Sequence, residues 1–368
     1  MKKWRLILKK SLKILCRFLL VFVLFAICVT LYYMMPQYLG NNVNIDKSSD
    51  SADVYDYTQD NYTLVRLNNK GRLFPFCFGE RLCLYDIKSD KYITLVNNIS
   101  PGWTIGDQMA MCNENVVYEA GIGDSYGGLY SINIRTGKRH KILSQSSAYS
   151  LCKDKLYYVK DYFQEGHKSV VYGKFITGGN RKKIFDGHVT CMTIQRERIY
   201  RFDEVKKSII ITEAGAVNER IIRYPYEGQV VSICKTENSD FAIIDTVGAV
   251  RYYNTDSASW RFVAKIDEPV EFVKNIYFSH NAFYYCADNC KLYKLDIGTG
   301  NYICLIDLGK NRKIKKYFET IEPGTSVNYS YNKEYIIVDA YYDNNENSHE
   351  KLLIFDYSGK LVRERTLQ

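Results

Sequence analysis

Stretches of alternating apolar and polar residues, broken at short intervals by glycine, asparagine and aspartate, run from Tyr62 to Gln368. Alternation with a period of two marks strands that rest one face on a core. The alternation is itself repeated. A short strand, a turn and an aromatic-rich strand lead each time into a tyrosine-bearing strand that ends in a tight turn. This last strand reads Leu84-Tyr85-Asp86-Ile87-Lys88, Leu129-Tyr130-Ser131-Ile132-Asn133, Val171-Tyr172-Gly173-Lys174-Phe175 and Leu292-Tyr293-Lys294-Leu295-Asp296. Taking Tyr85, Tyr130, Tyr172, Ile211, Tyr252, Tyr293 and Leu353 as anchors, the first five intervals are 45, 42, 39, 41 and 41 residues, and the last is 60. The expected upstream partner strands are Leu73–Phe78, Val116–Glu119, Leu156–Lys160, Ile199–Phe202, Phe241–Asp245, Phe283–Cys286 and Tyr335–Ala340.

A period of about 40–45 residues with four strands per unit is the signature of propeller blades. One such sheet has two apolar faces and cannot bury both alone, so neighbours must stack, and radial closure leaves few free edges. The reading is an all-β, about seven-bladed β-propeller over residues 62–368; six or eight blades also fit the spacing. Tyrosine is used 33 times, which suits pleated, half-buried surfaces. Turns such as Thr136-Gly137, Thr299-Gly300 and Ser358-Gly359 supply the positive φ that tight hairpins need.

Leu156–Lys160 followed by Val171-Tyr172-Gly173-Lys174-Phe175-Ile176-Thr177-Gly178, together with Leu292–Thr299, resembles the repeats of bacterial extracytoplasmic propellers related to the low-density-lipoprotein-receptor propeller. The resemblance covers the repeat region and implies an extracytoplasmic fold of unassigned activity. The receptor family's Tyr-Trp-Thr-Asp tetrapeptide is absent. Its calcium and ligand roles are therefore not carried over.

Ahead of the repeats, residues 1–17 hold seven of the lysines and arginines and no acid. Without them the formal charge of +9 falls to +2, so the basic balance speaks for membrane topology and not for nucleic-acid binding. Residues 18–35 carry no charge and predict one N-terminal transmembrane helix, an uncleaved signal-anchor of roughly 27 Å. A cleaved signal peptide is the rival reading. Residues 36–61 are polar and read as a flexible stalk. The expected localisation is a single-pass cell-membrane protein with a cytoplasmic N-terminus and an extracytoplasmic propeller.

No phosphate-cradling glycine loop, dinucleotide fingerprint or catalytic triad order is visible, and neither a cofactor nor a metal is expected. Cys112, Cys152, Cys191 and Cys234 recur at the end of each unit's first strand and read as small buried residues near the axis. Cys286 and Cys290 are spaced for a cross-strand disulfide, although nine ectodomain cysteines is an odd number. Asp124, Asp161, Asp343 and Glu350 are the acids that would supply a carboxylate pair. Thr255–Trp260 reads as a hairpin turn.

Loop length is the more informative signal. Gly121–Gly128, Tyr162–Ser169, Tyr341–Glu350, Asn97–Gln108 and Lys310–Thr325 are long, and all fall on one face of units seven, one, two and three. That face would carry Trp103, Asp124, Tyr126, Tyr162, Phe163, His167, Lys313, Lys315, Tyr341, Tyr342 and Asp343. Aromatic edges suit sugars or peptides and the lysines an anionic polymer. The function expected is a binding or scaffolding module for an envelope glycan or protein, the alternative being a propeller hydrolase or lyase acting on envelope polysaccharide.

Overall fold

A computed structural model describes residues 13–28, 51–53, 58–68, 80–97, 103–122, 127–145, 149–160, 169–187, 191–195, 198–213, 219–236, 240–266, 274–288, 291–310, 326–343 and 348–367. Seven antiparallel sheets follow one another along the chain, each with four strands consecutive in sequence, and one of them gains a fifth strand from further upstream. They form the seven blades of an all-β propeller. Blade 1 covers 58–97, blade 2 103–143, blade 3 149–187, blade 4 192–223, blade 5 230–265, blade 6 274–307 and blade 7 326–367. All seven anchors lie in third strands, including Ile211 in blade 4, which has no tyrosine there.

The tyrosines are explained by register. In blades 2, 3 and 6 the third-strand tyrosine stands directly opposite a second-strand tyrosine: Tyr130 opposite Tyr118, Tyr172 opposite Tyr158, Tyr293 opposite Tyr285. The rings of these pairs stack at 5.9, 5.7 and 5.4 Å between centroids. Arg139 and Arg181, further along the chain, lie over the outer ring at 4.7 and 4.6 Å. Such cross-strand aromatic pairs contribute about 0.5–1.5 kcal/mol beyond their buried area. Residues between the sheets form successive interblade cores, for example Leu84, Met109 and Val116 between blades 1 and 2, and Ile244, Phe283 and Leu295 between blades 5 and 6.

Three expectations change. In blade 1 the partner of the tyrosine strand is Tyr62–Asn68, and Leu73–Phe78 lies outside the described residues, in the 69–79 connection. Tyr62–Asn68 alternates better, and Pro75 cannot donate to a ladder. In blade 4 the cysteine slot at the end of the first strand is filled by Gln195, because Cys191 precedes that strand, Met192–Gln195. Cys112 and Cys152 do end their strands and are buried, and Cys234 is one residue short of the end of its strand. Cys286 is buried in the core between blades 6 and 7, and Cys290 lies outside the described residues.

The N-terminal region differs more. Residues 13–28 are helical and 29–35 lie outside the described residues. Among the described residues no helix is long and apolar enough to cross a membrane. The described helix starts early enough to include Lys13 and Arg17 and, at about 1.5 Å per residue, measures about 24 Å against a roughly 30 Å hydrocarbon core. The transmembrane helix expected over 18–35 is thus not found. The described stalk residues belong to the fold. Ser51–Asp53 is a fifth strand on blade 3, and blade 1 begins at Thr58–Gln59 and not at Tyr62.

Candidate functional site

Each blade's strands run up and down, so the connections sort by face. Links between blades and second-to-third turns share one face, the long-loop face. First-to-second and third-to-fourth turns share the other, the tight-turn face. The longest connections, 69–79, 161–168, 266–273 and 308–325, are all on the long-loop face, in blade 1, in blade 3, between blades 5 and 6 and between blades 6 and 7.

The strands run further into this face than the loop lengths suggest. Trp103 is the first residue of blade 2's first strand, Trp103–Cys112, and not part of a linker. Tyr341, Tyr342 and Asp343 end the second strand of blade 7, opposite Glu350, His349 and Ser348 on the third, so the expected long turn shrinks to 344–347. Asp124, Tyr126, Tyr162, Phe163, His167, Lys313 and Lys315 lie outside the described residues.

At the long-loop ends of blades 7, 1 and 2 the described residues bring four ionisable side chains together. Asp339 and Glu350 sit on adjacent strands of blade 7, Asp339 opposite Leu352 and Glu350 opposite Tyr341. They are diagonal neighbours on one sheet face, within reach of each other. Leu352 shares the blade 7–blade 1 core with Val65 and Leu67, so this face is turned toward blade 1. There Arg66, in the second strand Tyr62–Asn68, reaches Glu350 Oε1 with Nη2 at 3.4 Å. Arg66 Nη1 also donates to the carbonyl of Ile105 in blade 2 at 3.2 Å. Glu80, the first residue of the third strand of blade 1, accepts from the Ile105 N–H at 2.6 Å. Arg66 and Glu80 together hold the Ile105 peptide where its strand loses register, between Ile105 and Met109. Gly106 follows, and a Cβ there would collide with the Glu119 carboxylate, which occupies that space.

Glu350 is the perturbed member. Its carboxyl is pushed well above the ordinary carboxylate range, first by burial and then by the charge of Asp339, with which it shares a hydrogen bond; Arg66 opposes the shift and Glu80 adds to it. A protonated carboxyl that donates to a neighbouring carboxylate is a proton-sharing pair. Its side chain is 15% exposed, so the group is reachable from the loop face. Among the described residues no three His, Cys, Asp or Glu side chains are placed to hold a metal ion.

Two other buried networks contrast with it. Asp245 is fully buried and accepts from Tyr224 OH at 2.6 Å and from the N–H groups of Val247 and Ala249 at 3.1 and 2.9 Å, with Arg251 at 3.6 Å. Arg201 pairs with Glu219 at 2.5 Å and lies 3.6 Å over the Phe185 ring, tying blade 4 to blade 3. Both stitch blades together. Of the blade 7–blade 1 group, sequence reasoning singled out Glu350 alone. Asp339, Arg66 and Glu80 had no sequence signal, because Arg66 meets Glu350 across 284 positions.

No family model and no curated protein matches the sequence. Solved structures do match in fold. An oligogalacturonate lyase in complex with manganese superposes with a TM-score of 0.53 at 9% identity, covering 88% of this chain and 96% of that one. The oligogalacturonate lyase from Vibrio parahaemolyticus gives 0.51 at 11% identity, over 88% and 97%. A chain of a nidogen/laminin complex gives 0.42 at 11% identity, over 68% and 92%. At these identities the likeness shows the propeller fold alone.

Proposed function

We propose that the chain is an extracytoplasmic, membrane-attached propeller that binds an envelope glycan or protein over the long-loop face of blades 7, 1, 2 and 3. The observation that carries this reading is the convergence of Arg66, Glu80, Asp339 and Glu350 at the long-loop ends of their strands. Strongly perturbed ionisable groups cluster at functional sites. Attachment is supported by the cations of residues 1–17 and by the 13–28 helix, which exposes Phe18, Leu19, Leu20, Val21, Phe22 and Phe25 around its circumference. The resemblance of the repeats to bacterial extracytoplasmic propellers points to the same compartment. The test is sedimentation of the full-length protein with isolated cell-wall polymer and with envelope proteins. Arg66→Ala should weaken retention, and retention unchanged by Arg66→Ala and by Glu350→Ala together would count against the site.

A hydrolase or lyase acting on envelope polysaccharide is the second reading, favoured by the Glu350–Asp339 pair. A buried carboxyl whose pKa is raised by burial and by a neighbouring carboxyl is suited to general acid–base chemistry. New reducing ends or unsaturated products on incubation with envelope polysaccharide, lost in Glu350→Gln, would establish it. Binding without turnover would leave the first reading.

A further inference from the structure

We infer that the propeller is held by its own N-terminal segment through the central channel, and so displays the long-loop face away from the surface to which the N-terminus is attached. The inference rests on the membrane attachment proposed above. In each blade the first strand is innermost, and its inner edge faces the channel. In blade 3 that edge is taken by Ser51–Asp53, which pairs antiparallel with Tyr149–Cys152. This makes it the one five-stranded sheet among the described residues. The added strand also lies beside the first strands of blades 2 and 4, so it stands inside the ring and not on its rim.

The register fixes the direction of travel. Ser51 is opposite Cys152 and Asp53 is opposite Ser150. Cys152 precedes the 153–154 turn on the tight-turn face, and Tyr149 follows the 144–148 link on the long-loop face. The chain therefore enters the channel from the tight-turn face and leaves toward the long loops. The N-terminal end of this strand, Ser51, thus lies toward the tight-turn side of the ring.

Residues 29–50, 22 in number, join the 13–28 helix to this strand. Only 36–50 are polar in composition, and taken as a flexible coil the 22 residues would have a root-mean-square reach of about 26 Å. Turning the long-loop face to the membrane would take the connector from the axis past four strands, about 19 Å, and back along a strand of about 20 Å. That is about 40 Å of path before the membrane is reached. The opposite orientation needs none of it. The tether thus favours the tight-turn face down and the long-loop face outward, where polymer or protein arriving from outside meets it. It also fills part of the channel, which is then not an open passage through the ring.

The test uses the full-length chain reconstituted in liposomes, with a fluorescent noncanonical amino acid at Asp154 on the tight-turn face or at Val247 on the long-loop face. Both positions are exposed. Lipids spin-labelled at the head group should quench the dye at 154 more strongly than the dye at 247. Equal quenching, or stronger quenching at 247, overturns the orientation and leaves the attachment standing. Protein that fails to float with the vesicles overturns the attachment, and the orientation with it.

Discussion

Glu350 is a single carboxyl whose protonation links the stability of the blade 7–blade 1 seam to pH. Its native pKa is raised by burial and by Asp339, so the folded state keeps a proton that the unfolded chain gives up above about pH 4.3. Stability contributed by this group therefore falls as pH rises from there, until the native carboxyl also ionises. Glutamine imitates the protonated acid. Glu350→Gln should match the wild type near pH 4 and be the more stable protein at pH 8, measured by urea unfolding across that range. Parallel pH dependences for the two proteins would show that Glu350 ionises as an ordinary surface glutamate does. Only this residue of the group could be picked from the sequence. Its character comes from Asp339 across a sheet diagonal and from Arg66 in another blade, and neither relation leaves a local pattern.

At the scale of the element, the third-to-fourth turn is where sequence and structure agree most closely. Asn133, Asn254, Asp296 and Asp356 end third strands, and each Oδ1 accepts from an N–H two or three residues on, at 2.8–2.9 Å. A residue with positive φ then closes the turn: Gly137, Ala258, Gly300 and Gly359. This recurring side-chain-to-backbone turn is why the repeat was legible, since its residue types have a local reason to be there. The turn glycine has a second role in blades 6 and 7. A Cβ on Gly300 would lie 2.6 Å from the Val263 carbonyl oxygen, and one on Gly359 would lie 2.5 Å from that of Leu305, each on the outer strand of the preceding blade. Gly178, with φ of +109°, has nothing within 4 Å of such an atom. Gly300→Ala therefore meets both strain and a backbone clash, and should cost more than the roughly 1 kcal/mol expected from strain alone. Gly178→Ala should stay near that lower figure. Equal losses in thermal unfolding would mean that the interblade contact yields freely. Strand ends were less legible. Trp103 and Tyr341–Asp343 looked like loop because they are polar or aromatic near turn signals, yet pairing with the neighbouring strand carries them into the sheet.

For the whole molecule, the question is how a ring of seven sheets stays shut when, among the described residues, no strand is exchanged across its seam. Part of the answer is apolar: Val65, Cys83 and Tyr85 of blade 1 pack with Ile337, Leu352 and Ile354 of blade 7. The rest is a substitution in the repeat itself. Asp90 of blade 1 holds the positive-φ place that Gly300 and Gly359 hold in blades 6 and 7, with φ of +59°. Its carboxylate accepts from Arg365 Nε at 2.8 Å and from Tyr85 OH at 2.7 Å, and pairs with Arg365 Nη2. Arg363, on the same outer strand of blade 7, donates to the Ile87 carbonyl and to Tyr85 OH. The contact that in blades 6 and 7 is a glycine against a backbone carbonyl has become an ionic clasp between the first and last blades. Hydrogen bonds from Arg365 and then Tyr85 hold the Asp90 carboxyl at about 2. A depressed acid contributes stability above its unfolded value of about 3.9, and loses it as pH falls toward the folded one. Asp90→Asn should therefore melt below the wild type by a constant margin between pH 5 and 7. The margin should narrow below pH 4, close near pH 2, and shrink with added salt because the pair is exposed. Thermal unfolding followed by circular dichroism across that range reads it directly. A margin unchanged at pH 2 would assign the closure to packing, and one absent at pH 7 would leave the apolar seam holding the ring alone.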